Sequence, residues 1–242
     1  MMTMESHSDW RCSVERLDPK KGYMKDNTVL ICAEFNSSVQ WTVDKVESLR
    51  HLLTLKQESV LHVKYNREMK GLTHRRVVST DTHCICNTCG LEKLLHEFTK
   101  RLSAGCNKCR SNSMRLRRST ASGHFSKLLT TMRQASKVRG HPPPSVTQSD
   151  LMRILNEQGG LCAYSGIPMR FGSIKQNDWV CSVDRRNVSE GYTITNISLI
   201  CYEFNTMDMS AMRNKAANGK GSSGWTLMKM NRLKEHWAIP YT

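Results

Sequence analysis

The segments Trp179-Val-Cys-Ser-Val-Asp-Arg185 and Leu199-Ile-Cys-Tyr-Glu-Phe-Asn205 decide the fold of this chain, because both occur a second time. At an offset of 169 residues they are matched by Trp10-Arg-Cys-Ser-Val-Glu-Arg16 and Leu30-Ile-Cys-Ala-Glu-Phe-Asn36. Aligned over 27 residues, the two copies are identical at 14 positions. A match of this length at one fixed offset indicates that the unit was duplicated.

Each copy has the pattern of a strand, a loop, a second strand and a helix. Cys-Ser-Val and Leu-Ile-Cys are short apolar runs typical of strands, and the Gly-Tyr pair between them turns the chain. The Glu-Phe-Asn that closes each copy is expected to open a helix. Periodicity predicts further helices over 43–56 and over 125–138, and a short helix that Ser149 or Asp150 caps and that ends at Glu157. The sequence therefore predicts an α+β protein.

The chain divides into three predicted regions. A Trp-Thr-x-x-Lys motif follows each copy, at Trp41 and at Trp225, with a longer loop before the second. The predicted regions are an N-terminal partial repeat with a helix and a linker over 1–80, a basic metal-binding module over 81–118, and a domain that holds the second copy over 119–242.

Cysteine spacing predicts a metal site in the middle region. Four of the 10 cysteines form two Cys-x-x-Cys pairs, namely Cys86, Cys89, Cys106 and Cys109. Zn²⁺ prefers four soft ligands in a tetrahedron, and a site filled by four thiolates leaves no position open for water or substrate. We therefore predict a structural Zn²⁺. Cys84 and His83 are alternative ligands, but the symmetric set is simpler.

The charge of the chain favours a polyanionic partner. It has 36 Lys and Arg against 21 Asp and Glu, a net charge of +15. Residues 81–156 hold 13 basic and 4 acidic side chains, so most of the surplus lies there. Four arginines follow the last cysteine pair, and their guanidinium groups match phosphate oxygens. These candidate nucleic-acid contacts are Arg110, Arg115, Arg117 and Arg118.

The second copy carries a candidate catalytic group. Asp184, Arg185 and Asn205 are expected to lie near one another, because the strand–loop–strand turn returns the chain to its start. Carboxylate and amide oxygens suit Mg²⁺ or Mn²⁺ rather than a metal that prefers thiolates. A cation held there would polarise a phosphate and stabilise a departing oxygen. The pattern therefore favours hydrolysis of a phosphodiester.

A family resemblance rests on four motifs taken together. Gly160-Leu-Cys-Ala-Tyr-Ser-Gly-Ile-Pro168, Ser-Val-Asp-Arg185, Gly-Tyr-Thr-Ile-Thr-Asn196 and Leu-Ile-Cys-Tyr-Glu-Phe-Asn205 resemble the HNH (ββα-metal) endonuclease superfamily. The order of a Cys-x-x-Cys module, a helix and this core is similar to phage endonuclease VII-like proteins and to PacI-like restriction enzymes.

The resemblance implies a fold and a set of roles. It implies a small ββα-metal core with an upstream zinc module of four cysteines, and a metal-dependent endonuclease acting on double-stranded DNA. Asp184 and Asn205 would be the ligands of a catalytic Mg²⁺ or Mn²⁺, and Asn196 would brace the loop.

The chain departs from the family in its base. The family usually has His directly after the metal-binding acid, where this chain has Arg185. A guanidinium cannot accept a proton, so Arg185 is expected to bind the scissile phosphate. The resemblance to PacI-like enzymes makes Tyr164 the candidate that activates or replaces the nucleophile, with His124 and His141 as reserve bases.

Two further positions differ from the family. A second pair of zinc knuckles retains only Cys162 and Cys201, so we predict buried thiols there and no zinc. The first copy has Glu15 in place of Asp and keeps Arg16 and Asn36. It is either a second working site, which makes the chain a fused pseudo-dimer that cuts both strands, or a remnant used for packing or DNA contact. We favour the remnant, because the first copy lacks a counterpart of the Tyr164 segment.

Location, partners and rival functions complete the predictions. Residues 1–9 have neither a basic start nor an apolar core, and no stretch approaches the roughly 18 apolar residues of a membrane span. We expect an intracellular protein (cytoplasm or nucleus) that binds DNA and no membrane, with a homodimer left open. The rival functions are a nucleic-acid-binding protein without catalysis and a structure-selective nuclease on branched DNA or RNA.

Overall fold

The computed structural model describes residues 2–5, 9–36, 41–55, 80–99, 105–205 and 225–238. Within these ranges the chain has five α-helices and three two-stranded antiparallel sheets, so the α+β class is confirmed. None of the helices in this part of the chain is long and apolar enough to cross a membrane. In chain order the elements are β1 (Cys12–Arg16), β2 (Thr28–Cys32), α1 (Val43–Thr54), β3 (His83–Ile85), β4 (Glu92–Leu94), α2 (Asn107–Arg118), α3 (Ala121–Arg139), α4 (Gln148–Glu157), β5 (Cys181–Arg185), β6 (Ile197–Cys201) and α5 (Leu227–Ala238).

The two sequence copies fold into the same hairpin. β1 pairs with β2 so that Cys12 lies opposite Cys32, and β5 pairs with β6 in the matching register. The helix expected at Glu-Phe-Asn is replaced in the second copy by a 3₁₀ turn, Tyr202–Phe204, which ends at Asn205. The residues that follow, 206–224, lie outside the described part of the chain.

One asparagine holds the loop of each hairpin. In the second copy the Asn196 side chain accepts the N–H of Asn187 at 2.8 Å and donates to the carbonyl oxygens of Asn187 and Gly191 at 3.0 and 2.9 Å. Asn27 makes the same three bonds in the first copy. Both amides are buried, and they satisfy backbone groups that no strand pairs. The same short motif therefore gives the same loop twice.

Each copy is followed by a lysine that forms an ion pair with a glutamate of the other copy. The Nζ of Lys45, in α1 just after the first copy, lies 3.0 Å from Glu203 Oε1 of the second copy. The Nζ of Lys229, in α5 just after the second copy, lies 2.7 Å from Glu34 Oε1 of the first. Each glutamate also accepts, at 2.9 Å, the backbone N–H of the tryptophan that begins its own copy. Reciprocal contacts of this kind are those of a two-fold symmetric dimer, here formed within one chain.

An aromatic cluster fills the interface between the copies. Trp41 and Trp225, from the two Trp-Thr-x-x-Lys motifs, have ring centroids 5.9 Å apart. Each also packs against both Phe35 and Phe204, with centroid distances from 5.1 to 6.1 Å. These rings join the main apolar core. The motif therefore has two tasks, since its tryptophan builds the core and its lysine closes the ion pair.

Helix α4 and the residues after it pack on the second hairpin, whereas the matching face of the first hairpin is exposed. α3 and α4 pack together, and α4 packs on β6. The side-chain amide of Gln158, after α4, donates to the Leu199 carbonyl at 2.8 Å and accepts the Leu199 N–H at 3.1 Å. Leu199 is 0% exposed, whereas its counterpart Leu30 is 61% exposed. In the described part of the chain, the first copy thus keeps the hairpin but has one exposed face.

The starts of two helices differ from the sequence-based prediction. The prediction that Ser149 or Asp150 caps α4 is wrong, because Thr147 is the cap and the Asp150 side chain bonds back to it in a capping box. α3 starts four residues before the predicted Phe125, because the Thr120 hydroxyl caps it there.

Candidate functional site

Four cysteines converge at the predicted metal site. One sulfur from each lies within 4.8 Å of the others. Four thiolates from two short turns form a set that fits a structural metal such as Zn²⁺, so the predicted clustering of the four cysteines is confirmed. Its members are Cys86, Cys89, Cys106 and Cys109.

The alternative ligands have other partners. The Cys84 thiol donates to the carbonyl of Ile85 at 3.7 Å, and His83 Nδ1 lies 2.8 Å from the Thr82 hydroxyl. Neither residue belongs to the cluster formed by the described residues. The symmetric set of four cysteines is therefore the better assignment.

The first knuckle has a defined hydrogen-bond pattern. Cys86 N donates to Leu91 O at 2.9 Å, Gly90 N donates to Cys86 O at 2.8 Å, and Cys106 N donates to Cys86 Sγ at 3.2 Å. Burial opposes ionisation of the Cys86 thiol, but N–H groups pointing at its sulfur, that of Cys106 first, lower its pKa to about 6. The turn therefore favours the thiolate that a metal binds.

A second knuckle has the same backbone pattern with fewer sulfurs. Cys162 N donates to Ile167 O at 2.8 Å, Gly166 N to Cys162 O at 2.9 Å and Cys201 N to Cys162 Sγ at 3.3 Å. Burial opposes ionisation of Cys162, but hydrogen bonds from Cys201 and Ser165 lower its pKa to about 6. Cys162 and Cys201 are buried in the apolar core, as predicted. The turn itself thus forms from its backbone bonds with serine in the second sulfur position.

The second knuckle carries Tyr164 to the end of β5. The Tyr164 hydroxyl donates to Asp184 Oδ2 at 2.6 Å. Asp184 is 2% exposed and lies in β5 opposite Ser198 of β6. The predicted acid and the predicted phenol are therefore in direct contact, although 20 residues separate them in the sequence.

Asn205 lies beside the same strand. Its Nδ2 donates to Ser182 Oγ at 2.8 Å and to the Val183 carbonyl at 3.0 Å. These bonds fix the amide on the two residues that precede Asp184 in β5, and its carbonyl oxygen is the atom that suits a hard cation. Asn36 repeats both bonds in the first copy, at 2.9 and 3.0 Å.

Arg185 is committed to the hairpin loop. Its Nη1 donates to the carbonyl oxygens of Val188 and Glu190 at 2.9 and 2.8 Å, and its guanidinium carbon lies 5.3 Å from the centre of the Tyr192 ring. Burial lowers the pKa of this guanidinium. In this arrangement Arg185 positions the loop that Asn196 also braces, and its contact with a phosphate stays a prediction.

The two reserve histidines differ in their surroundings. His124 is buried, its Nε2 lies 2.7 Å from the Cys181 carbonyl, and its Nδ1 accepts the Gly172 N–H at 3.3 Å. Burial lowers its pKa. Both ring nitrogens are engaged with the backbone, so His124 links α3 to β5 and to the preceding loop rather than offering a base. His141 is half-buried at the C-terminal end of α3.

The first copy repeats only part of this site. Glu15 lies in β1, and its carboxylate accepts the backbone N–H of Arg16 at 2.7 Å. The Arg16 guanidinium carbon lies 5.1 Å from the centre of the Tyr23 ring, as that of Arg185 does over Tyr192. No tyrosine hydroxyl among the described residues hydrogen-bonds to Glu15.

Sequence reasoning missed several residues that position the site. It did not predict the hydrogen bond between His124 and the 172–177 loop or the bonds of Gln158 to β6. It also did not predict the ion pairs that Lys45 and Lys229 form between the copies. For the two lysines a signal existed, because both belong to the repeated Trp-Thr-x-x-Lys motif.

The four arginines predicted to contact nucleic acid all lie in α2.

Comparison of the chain with protein-family models, with curated proteins and with solved structures finds no match. The geometry of the described residues therefore carries the functional argument.

Proposed function

We propose that this chain is a metal-dependent endonuclease of the HNH type that hydrolyses phosphodiester bonds of double-stranded DNA. The hydrogen bond from Tyr164 to Asp184 is the observation that carries the proposal, because it joins a buried carboxylate to a phenol. Beside them, Asn205 is held by its nitrogen on β5. The β5–β6 hairpin and the turn after it would form the ββα-metal core.

The roles follow from chemistry and position. Asp184 and Asn205 would hold Mg²⁺ or Mn²⁺, which when bound supplies charge for the scissile phosphate and the leaving oxygen. Tyr164 holds a proton at its hydroxyl oxygen and would assist formation of the nucleophile. Asn196 and Arg185 keep the hairpin loop in place. The cysteine cluster would hold Zn²⁺ as a structural metal.

The first copy supports a dimer-like scaffold with one catalytic site. Its reciprocal ion pairs with the second copy match a fused pseudo-dimer. Its hairpin has the asparagine bonds of Asn36 but no tyrosine on Glu15 in the described structure. We therefore assign the chemistry to Asp184 and a packing role to the first copy.

The test compares Asp184→Ala with Glu15→Ala in a plasmid-nicking assay with Mg²⁺ or Mn²⁺. Asp184→Ala should lower the rate on the order of 10³-fold, because the loss of one member of a catalytic group removes most of its effect. Glu15→Ala is the matched control and should keep most of the activity. Cleavage by Asp184→Ala at the parent rate would refute the proposal, and a large loss in Glu15→Ala would move part of the chemistry to the first copy.

One observation favours a nucleic-acid-binding protein without catalysis. Arg185 stands where the family has its base, and its Nη1 is bonded to loop carbonyls. DNA binding by the parent protein with no cleavage in Mg²⁺ or Mn²⁺ would support this alternative. Linear duplex, a four-way junction and single-stranded RNA as substrates would separate it from a structure-selective nuclease.

A further inference from the structure

Helix α2 is unusual because it has no buried face. All twelve of its residues are described, and none is buried. It contains four arginines and a lysine with no acidic residue. A helix of this length gains little stability from its own hydrogen bonds in water, and most helices are stabilised by packing an apolar face. α2 therefore depends on its two ends, and most of its side chains are exposed.

Both ends of α2 are fixed. Its first turn contains Cys109 of the cysteine cluster. At its other end the chain passes tightly into α3, since a Cβ on Gly123 would lie 2.1 Å from the Arg117 carbonyl oxygen. Only glycine fits there without a shift of the backbone. The angle between α2 and α3 is thus set by a metal-binding turn at one end and a glycine contact at the other.

A cleft of about 650 Å³ lies beside this exposed helix. α2 lines it with Arg110, Arg115 and Arg118, and α3 adds Lys127. No Asp or Glu among the described residues lines it. Within the described part of the chain, none of these four cations forms an ion pair. A cavity lined by one sign of charge concentrates ligands of the opposite sign.

The opposite wall of the cleft is a polar loop over residues 172–177. Gln176 and Asn177 line the cleft, and their backbone N–H groups both donate to the Ser173 carbonyl at 3.1 Å. The N–H of Gly172 donates to the buried His124 of α3. The loop is therefore held in one arrangement, and it leads within a few residues into β5, the strand of Asp184.

We propose that this cleft binds the sugar–phosphate backbone of one DNA strand and delivers the strand to the Asp184 site. The inference rests on the proposed function for the identity of the nucleic acid, but it concerns a different part of the molecule. Guanidinium groups match phosphate oxygens in pairs, and the amides of the loop are donors and acceptors for sugar and phosphate. Arg117 is not part of the cleft, so the strand contacts three of the four arginines of α2.

The experiment measures binding and not cleavage. A fluorescently labelled DNA duplex is titrated with protein at several salt concentrations, without added Mg²⁺ or Mn²⁺, and anisotropy gives the affinity. The cleft variant is the triple substitution Arg115→Gln, Arg118→Gln and Lys127→Gln. Its matched control is Lys20→Gln, Lys21→Gln and Lys25→Gln, which removes the same charge from exposed residues of the first copy.

The cleft variant should lose at least about tenfold in affinity, and its slope of log affinity against log salt should fall by about 2 to 3, one for each lost phosphate contact. The control should stay within about threefold of the parent. Equal losses in both variants, or no loss in the cleft variant, would overturn the proposal. Retained zinc and an unchanged melting temperature verify that the cleft variant is folded.

The binding measurement tests the cleft independently of the cleavage measurement that tests the proposed function. If Asp184→Ala still cleaves, the catalytic assignment fails while the binding data still decide for or against the cleft. If cleavage is lost as expected but the cleft variant binds normally, the cleft assignment alone is wrong.

Discussion

The two hairpins of this chain share their hydrogen bonds and differ in their surroundings. Asn36 and Asn205 make the same pair of bonds to their strands, and Asn27 and Asn196 make the same three bonds in their loops. Yet the faces of the strands differ, since Val14 is 46% exposed and its counterpart Val183 is 8% exposed. The repeat thus encodes the backbone and the asparagine positions, and it does not encode the burial of the acid.

The cover of the second hairpin supplies what the first one lacks. α4, Gln158 and the knuckle at Cys162 all precede the second copy in sequence and lie on β6. That same segment carries Tyr164, which contacts Asp184. One segment therefore both buries the second hairpin and supplies the Tyr164 hydroxyl. The first hairpin, which has no such segment before it in sequence, keeps the strands and the asparagines but has no phenol beside its acid in the described structure.

The largest expected loss of stability comes from breaking an ion pair between the two copies. Lys229→Met removes the cation from a pair whose side chains are 3% and 2% exposed, and so leaves the Glu34 carboxylate buried without its partner. We expect a loss of about 3 to 5 kcal/mol in the free energy of unfolding. Urea denaturation followed by tryptophan fluorescence measures it, because the cluster around Trp225 lies at this interface.

The matched variant on the other side is Lys45→Met. The Lys45 side chain is 12% exposed and its second partner, Asp178, is 56% exposed, whereas Lys229 is 3% exposed and its second partner, Asp9, is 35% exposed. Water therefore screens the Lys45 pair more, and the loss should be smaller, about 1 to 3 kcal/mol. The double variant Lys229→Met and Glu34→Gln should regain part of the stability, because no unpaired charge remains. Equal stability of all three variants and the parent would contradict the reciprocal interface.

The second prediction compares a buried leucine of one hairpin with its exposed counterpart in the other. Leu199→Ala should destabilise the protein by about 2 to 5 kcal/mol, because it removes a fully buried side chain and leaves a cavity. Leu30→Ala should cost less than about 0.5 kcal/mol, because that side chain is 61% exposed. Thermal denaturation of both variants gives the difference. A loss in Leu30→Ala that equals the loss in Leu199→Ala would show that the first hairpin is covered in solution.

Local features of this structure were predictable from the sequence, and long-range ones were not. The two strands of each hairpin are joined by one loop, and each Cys-x-x-Cys pair lies in one turn, so spacing was enough to predict them. The N-cap at Thr147 could also have been found, because Thr147 and Asp150 form the capping-box pattern. The prediction placed the cap at Ser149 or Asp150 instead, two or three residues too late.

The rest depends on how distant segments meet. Lys45 lies 158 residues before Glu203, its partner, and no spacing rule links two such positions. The contact of Tyr164 with Asp184 was suggested only by the family resemblance, because composition and periodicity say nothing about which tyrosine reaches an acid.

The last prediction concerns the hydroxyl that contacts the acid of the second hairpin and that has no counterpart on Glu15 among the described residues. Tyr164→Phe removes the hydroxyl that donates to Asp184 at 2.6 Å and keeps the ring. If the phenol assists the nucleophile, the cleavage rate should fall about 10²-fold, equivalent to about 2.7 kcal/mol of transition-state stabilisation. Single-turnover cleavage of a defined duplex measures this change. Tyr23→Phe, which removes a hydroxyl from an exposed tyrosine of the first copy, is the control and should cleave at the parent rate. A parent rate in Tyr164→Phe would leave Tyr164 with a packing role only, and the two hairpins would then differ in the acid and its burial but not in a catalytic phenol.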